Sequence, residues 1–197
     1  MPVNYKLWID GVGAFLLFLE DRLTIGAERS DGLLADFRLQ SGIKREHAAI
    51  EREGEDYWLN PLGTTKINQR EVQKRSLLQD GYEINLIPCV QLKFSLPSPL
   101  SSSARLDFLT GHRPAERIDG VVLMSETCLI GPGSGNHITC PRWGANLVLF
   151  QQEGDLYARC RTDWSIDGVP VAGAARLDLG NIVTGPDFRF RLEESSK

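Results

Sequence analysis

From Tyr5 to Ile9 polar and apolar residues alternate, and beyond Asp10-Gly11-Val12-Gly13 an apolar run continues from Phe15 to Leu19. Period-two alternation puts successive side chains on opposite faces of a strand, so these segments predict two strands joined by a turn. Arg22 to Ile25, ended by Gly26, predicts a third. His47 to Arg52 and Asp56 to Leu59 flank Glu53-Gly54-Glu55, a tight turn whose glycine accepts positive φ, and they predict a hairpin. Lys66 to Asn68 and Glu71-Val72 predict a short pair across Asn68-Gln69, Asp80-Gly81 turns the chain into Tyr82 to Leu86, and Cys89 to Phe94 closes the set. No segment sustains a helical period, so the expected fold class is all-β, built as a sandwich.

Leu96-Pro97-Ser98-Pro99-Leu100-Ser101-Ser102-Ser103 follows, and two prolines with a serine run predict a linker that adds nothing to a core. Past it the pattern returns. Leu129-Ile130-Gly131 answers Thr24-Ile25-Gly26, Glu153-Gly154-Asp155-Leu156-Tyr157 answers Glu53-Gly54-Glu55-Asp56-Tyr57, and Ile166-Asp167-Gly168 answers Ile67-Asn68-Gln69. The spacing drifts by a few residues, as loop insertions produce, and Phe188 to Leu192 supplies a last alternating strand. Two tandem β-sandwiches are therefore expected, at residues 1–95 and 104–197 with a linker at 96–103.

Composition narrows the function classes. With 42% hydrophobic and 24% charged residues the chain falls in the ordinary globular range. A net charge of -4 supplies no global positive field for nucleic acid or an anionic membrane surface. The longest apolar run, Ala14 to Leu19, is far shorter than a membrane helix needs, and the N-terminus shows no basic region followed by a cleavage site. A soluble cytoplasmic protein is the expectation, with no nucleic-acid or membrane partner. Cys89, Cys128, Cys140 and Cys160 lack CxxC spacing and are expected as reduced thiols.

The stretch from Leu23 to Val72 hangs three polar loops between short apolar strands: Gly26-Ala27-Glu28-Arg29-Ser30-Asp31, then Lys44-Arg45-Glu46-His47, then Gly63-Thr64-Thr65-Lys66-Ile67-Asn68-Gln69. This order resembles the forkhead-associated (FHA) domain, a small β-sandwich that binds phosphothreonine peptides through its loops. The family pattern is Gly-Arg, then Ser-Arg-x-His, then Asn-Gly. Gly26, Arg45, His47 and Asn68 keep it, whereas Ala27 replaces the first Arg, Lys44 the Ser and Gln69 the last Gly. The resemblance implies a protein-interaction module with a protein partner, possible phosphopeptide contacts at Arg29, Ser30, Lys44, Arg45, Thr64, Thr65 and Asn68, and structural roles for Gly26 and His47. Arg29 lies two places past the missing Arg and is the expected substitute for it. Phospho-independent docking by a degenerate FHA domain stands as the alternative reading of the same residues, and an enzyme with an unrecognised site as a third.

The second copy departs further, with Gly131-Pro132, Trp143-Gly144-Ala145-Asn146 and Asp167-Gly168 at the three motif positions. Its loop end is expected to repel phosphate, with only Arg142 nearby against Asp163 and Asp167. Gly131-Pro132-Gly133-Ser134-Gly135 lacks the Gly-Lys-Ser/Thr ending of a P-loop and precedes no helical pattern. His112, His137 and Cys140 lack paired ligand spacing. No catalytic residue, metal or cofactor is expected, because no nucleophile–base set or carboxylate pair is placed at one spot.

Overall fold

The computed structural model describes residues 4–28, 35–114 and 116–195. Its first eleven strands are β1 (Tyr5–Ile9), β2 (Gly13–Phe18), β3 (Arg22–Ala27), β4 (Phe37–Leu39), β5 (Ala48–Glu53), β6 (Asp56–Pro61), β7 (Thr65–Ile67), β8 (Arg70–Val72), β9 (Ser76–Leu78), β10 (Glu83–Leu86) and β11 (Val90–Ser95). Eleven more follow: β12 (Ala104–Phe108), β13 (Gly120–Leu123), β14 (Thr127–Gly131), β15 (Ile138–Thr139), β16 (Leu147–Gln152), β17 (Asp155–Cys160), β18 (Trp164–Ile166), β19 (Val169–Val171), β20 (Ala174–Arg176), β21 (Ile182–Thr184) and β22 (Arg189–Glu194). Among the described residues there is no helix, and the fold is all-β.

These strands form two compact sandwiches, but not as consecutive halves. The first comprises Glu20–Leu96 with Arg105–Val121, and the second comprises Met1–Leu19, Pro97–Ala104 and Val122–Ser196. In the first, the sheet β4-β3-β5-β6-β9 faces strands in the order β12-β11-β10-β7-β8. In the second, β15-β14-β16-β17-β20 faces β2-β1-β22-β21-β18-β19. The expected boundaries at 95 and 104 are thus corrected. The N-terminal hairpin lies in the second sandwich, where Leu7 pairs with both Phe15 and Leu192. Conversely β12 completes the first, where Leu92 pairs with Phe108 and Phe94 with Leu106. The physical reason is that alternation specifies a strand and its buried face, but not which edge that strand joins.

Leu7, Ile9, Phe15 and Leu17 are buried with Cys128, Ile130, Leu147, Leu149, Phe190 and Leu192 in the core of the second sandwich. Each such side chain contributes about 1.5 to 3 kcal/mol by burial, so the hairpin is integral to that unit. The first sandwich is packed around Leu23, Ile25, Ile50, Leu59, Ile84, Leu92 and Leu106, with Tyr57 and Phe94 ring centroids 5.3 Å apart.

The expected linker is also corrected, since Ser98 and Ser103 are buried. The Ser103 hydroxyl donates to the Thr127 carbonyl at 2.6 Å and accepts the Ser125 N–H at 2.9 Å, and Ser101 Oγ donates to the same carbonyl at 3.0 Å. The serine run satisfies backbone groups at the start of β14 and is part of the second sandwich, because a buried N–H or C=O without a partner is expensive.

Candidate functional site

The end of the first sandwich that gathers the three motif loops is set by Gly26. β3 and β4 run parallel, pairing Ile25 with Phe37 and Gly26 with Arg38. The backbone of the 40–47 loop crosses directly over β3: Ala27 N–H donates to the Lys44 carbonyl at 2.8 Å, and His47 N–H to the Ile25 carbonyl at 2.8 Å. A Cβ on Gly26 would overlap the Arg45 carbonyl oxygen, so only glycine permits this crossing.

His47 ties the remaining loop to the same place. It is 2% exposed, and its carbonyl accepts N–H bonds from Leu62 at 2.9 Å and Gly63 at 2.7 Å. Its ring bridges two loops. Nδ1 accepts the Lys44 N–H at 3.1 Å, while Nε2 lies 3.0 Å from the Thr64 carbonyl. A carbonyl can only accept and an amide N–H only donate, so the imidazole is neutral with its proton on Nε2. Burial pushes its pKa below the ordinary 6.5, the Thr64 bond opposes that, and the Lys44 charge adds to it. Gly63 packs against the ring, where a Cβ would come 2.8 Å from Cε1. Catalysis has no place in this arrangement, because both ring nitrogens are engaged by backbone.

On this frame Lys44, Arg45 and Thr64 are exposed at one spot, with Glu46 beside them. Lys44 Nζ donates to the Leu62 carbonyl at 2.9 Å, so the residue standing at the family's Ser spans from the 40–47 loop to the 62–64 loop. Ala27 is buried. Arg29 and Ser30 lie outside the described residues.

Two expected contacts are corrected. Thr65 is fully buried and its hydroxyl donates to the Gly63 carbonyl at 3.0 Å, so it supports the loop from inside. Asn68 stands at the far end of β7 from Thr64, separated by a three-residue strand or about 10 Å at 3.3 Å per residue. There it forms a two-residue turn with Gln69, both at positive φ (48° and 68°), and its Oδ1 accepts the Glu83 N–H at 2.9 Å. Motif order in the sequence brought Asn68 to the site; strand direction removes it. The 62–64 backbone takes its place, and the signal for it was Gly63-Thr64, the small-residue step just before β7.

In the second sandwich a Cβ on Gly131 would overlap the Asn146 side-chain Oδ1. His137 is buried, and its Nδ1 accepts the Leu129 N–H at 2.9 Å. Asp167 does not face the motif loops: it lies in the β18–β19 turn, where its oxygens accept the Ile182 N–H at 2.9 Å and Asn181 Nδ2 at 2.7 Å. Its expected repulsion of a ligand at the loop end is therefore withdrawn.

The FHA domain family model matches residues 23–87, which lie within the first sandwich. Among solved structures, the FhaA FHA domain complexed with the intracellular domain of Rv3910 is 28% identical, covering 42% of this chain and 90% of that chain at a TM-score of 0.31. A structure described as an analysis of phosphothreonine-dependent FHA domain interactions is 27% identical, covering 42% and 86%, also at 0.31. The N-terminal FHA domain from EssC, a component of the bacterial Type VII secretion apparatus, is 13% identical and covers 98% and 93% at 0.27. No curated protein matches the chain.

Proposed function

We propose that the FHA domain formed by residues 23–87, a protein-interaction module and not an enzyme, recognises a phosphothreonine-containing protein through Lys44 and Arg45. The observation that carries this reading is the placement of two consecutive exposed cations on a loop whose backbone is fixed at Ala27, His47 and Thr64. A fixed loop backbone favours phosphate because less ordering entropy remains to be lost on binding, and each charge-assisted hydrogen bond contributes about 1.5 to 3 kcal/mol. The Thr64 hydroxyl is exposed beside them and can add a neutral donor. Phospho-independent docking is the second reading. It is favoured by the bond from Lys44 Nζ to Leu62, which a phosphate must displace or share.

Calorimetry on the full chain with matched phosphorylated and plain Thr peptides tests the choice. A preference for the phosphopeptide that falls by about tenfold or more in Arg45→Ala, equivalent to about 1.4 kcal/mol, is the expected result. Equal affinity for the two peptides in wild type overturns phosphothreonine recognition and leaves the docking reading.

A further inference from the structure

The second sandwich carries a groove of about 870 Å³ on its five-stranded sheet. Its floor is a row of residues in register across four strands: Leu129 opposite Val148, Val148 opposite Arg159, Arg159 opposite Ala174. These positions alternate with Cys128, Ile130, Leu147, Leu149 and Ala158, all in the core, so the row faces away from it. Gly144 and Asn146 border the groove at one end, and Arg161 stands just past β17.

The charge of this groove is one-sided. Among the described residues Arg159 and Arg161 line it and no carboxylate does. Other arginines of the same sandwich are paired, Arg176 with Asp155 and Asp178, Arg189 with Asp10 and Arg191 with Glu193. Arg159 and Arg161 are exposed, and neither has an ion pair or hydrogen bond among the described residues. Arg159 lies over the Phe150 ring, 5.7 Å from its centroid. In a chain of net charge -4, this is a local positive site within an acidic protein.

We propose that the groove binds an acidic peptide segment, its carboxylates meeting Arg159 on β17 and Arg161 just past the end of that strand, both of which line the groove. Guanidinium and carboxylate pair in a bidentate fork. Leu129 and Val148 give the floor apolar surface, while Gly173 and Ala174 keep the side toward β20 low enough for a ligand backbone to approach. The site is on the other sandwich from Lys44 and Arg45 and stands independently of phosphothreonine recognition.

The test is fluorescence anisotropy of a fluorescein-labelled peptide alternating Glu and Val, titrated with the full chain at low salt. The expected result is saturable binding that weakens about tenfold or more in the double variant Arg159→Gln/Arg161→Gln. That variant should stay close to the wild-type Tm, because neither side chain has an ion pair or hydrogen bond among the described residues to lose and the exposed contact of Arg159 with the Phe150 ring is weak. Arg45→Ala should bind the peptide as wild type does. A peptide in which Gln replaces every Glu should bind more weakly, and alkylation of Cys160, which lines the groove, should slow in the presence of the Glu peptide while that of Cys89 does not. The proposal is overturned by absence of binding to wild type, by equal binding to the double variant, or by loss of binding in Arg45→Ala. Equal competition by a phosphothreonine peptide without carboxylates also overturns it, since carboxylates would then not set recognition.

Discussion

The exchange of terminal strands makes a crossed prediction about stability. Leu7 is in the first half of the sequence and fully buried in the core of the second sandwich, whereas Leu106 is in the second half and 2% exposed in the first. Truncating a buried leucine to alanine removes its transfer free energy and leaves a cavity, together about 2 to 5 kcal/mol. At about 1.4 kcal/mol per decade that is roughly 30-fold to several-thousand-fold in the opening equilibrium of whichever sandwich holds the side chain. Hydrogen exchange read strand by strand reports it directly. Leu7→Ala should speed exchange in β16, β17 and β22 by such a factor and leave β5 and β6 near wild type; Leu106→Ala should do the reverse. If Leu7→Ala instead opened β5 and β6 while β16 and β17 stayed protected, β1 would belong to the first sandwich and the exchange would be refuted.

His47→Ala should destabilise the first sandwich by about 1 to 3 kcal/mol for each buried group left unpaired, read as an earlier denaturation midpoint, and an unchanged midpoint would contradict the bracing role. Because the folded state depresses the His47 pKa, the unfolded chain binds the extra proton; stability is complete above about 6.5 and falls as pH drops below it, by at most about 1.4 kcal/mol per unit. That slope should shrink in His47→Gln, and a slope of opposite sign would refute the neutral ring. Gly26→Ala should lower stability by about 2 kcal/mol or more through forced opening of the loop crossing, and should weaken peptide binding with it. Unaltered thermal unfolding in that variant would show the crossing to be slack.

Alternation and turn residues made most strands legible: the Gly54 hairpin appears as β5 and β6, paired from Ala48 opposite Pro61 to Glu53 opposite Asp56. Partnership was not legible, since β1 joins β22 from the far end of the sequence and β12 joins β11 across the Pro/Ser segment that reads as a linker. Strand polarity likewise decided the site. Gly26 and Lys44-Arg45-Glu46-His47 lie together because β3 meets the loop before β5, a relation that short spacing preserves. Thr65 and Asn68 are equally close in sequence but fell on the inside and at the far end of a three-residue strand, which only the register to β10 reveals. The groove of the second sandwich had no motif at all, because Arg159 and Arg161 become a pair only when the neighbouring strands supply its walls.

The two sandwiches share one strand order but carry different residues at the loop end, with His47 in one and Asn146 in the other. At corresponding places before β5 and β16, His47 sends both ring nitrogens to backbone, whereas Asn146 accepts through Oδ1 from Asn136 Nδ2 at 3.1 Å. The imidazole bridges two loops and holds Lys44 and Arg45 over a fixed frame. The shorter amide also ties two loops, through Asn136 between β14 and β15, but the cations that line the groove of the second sandwich stand on β17 and just beyond it. Under the proposed readings the first sandwich meets its ligand with loop residues, which suits a compact dianion, and the second with arginines on a sheet face and at its margin, which suits the carboxylates of a peptide.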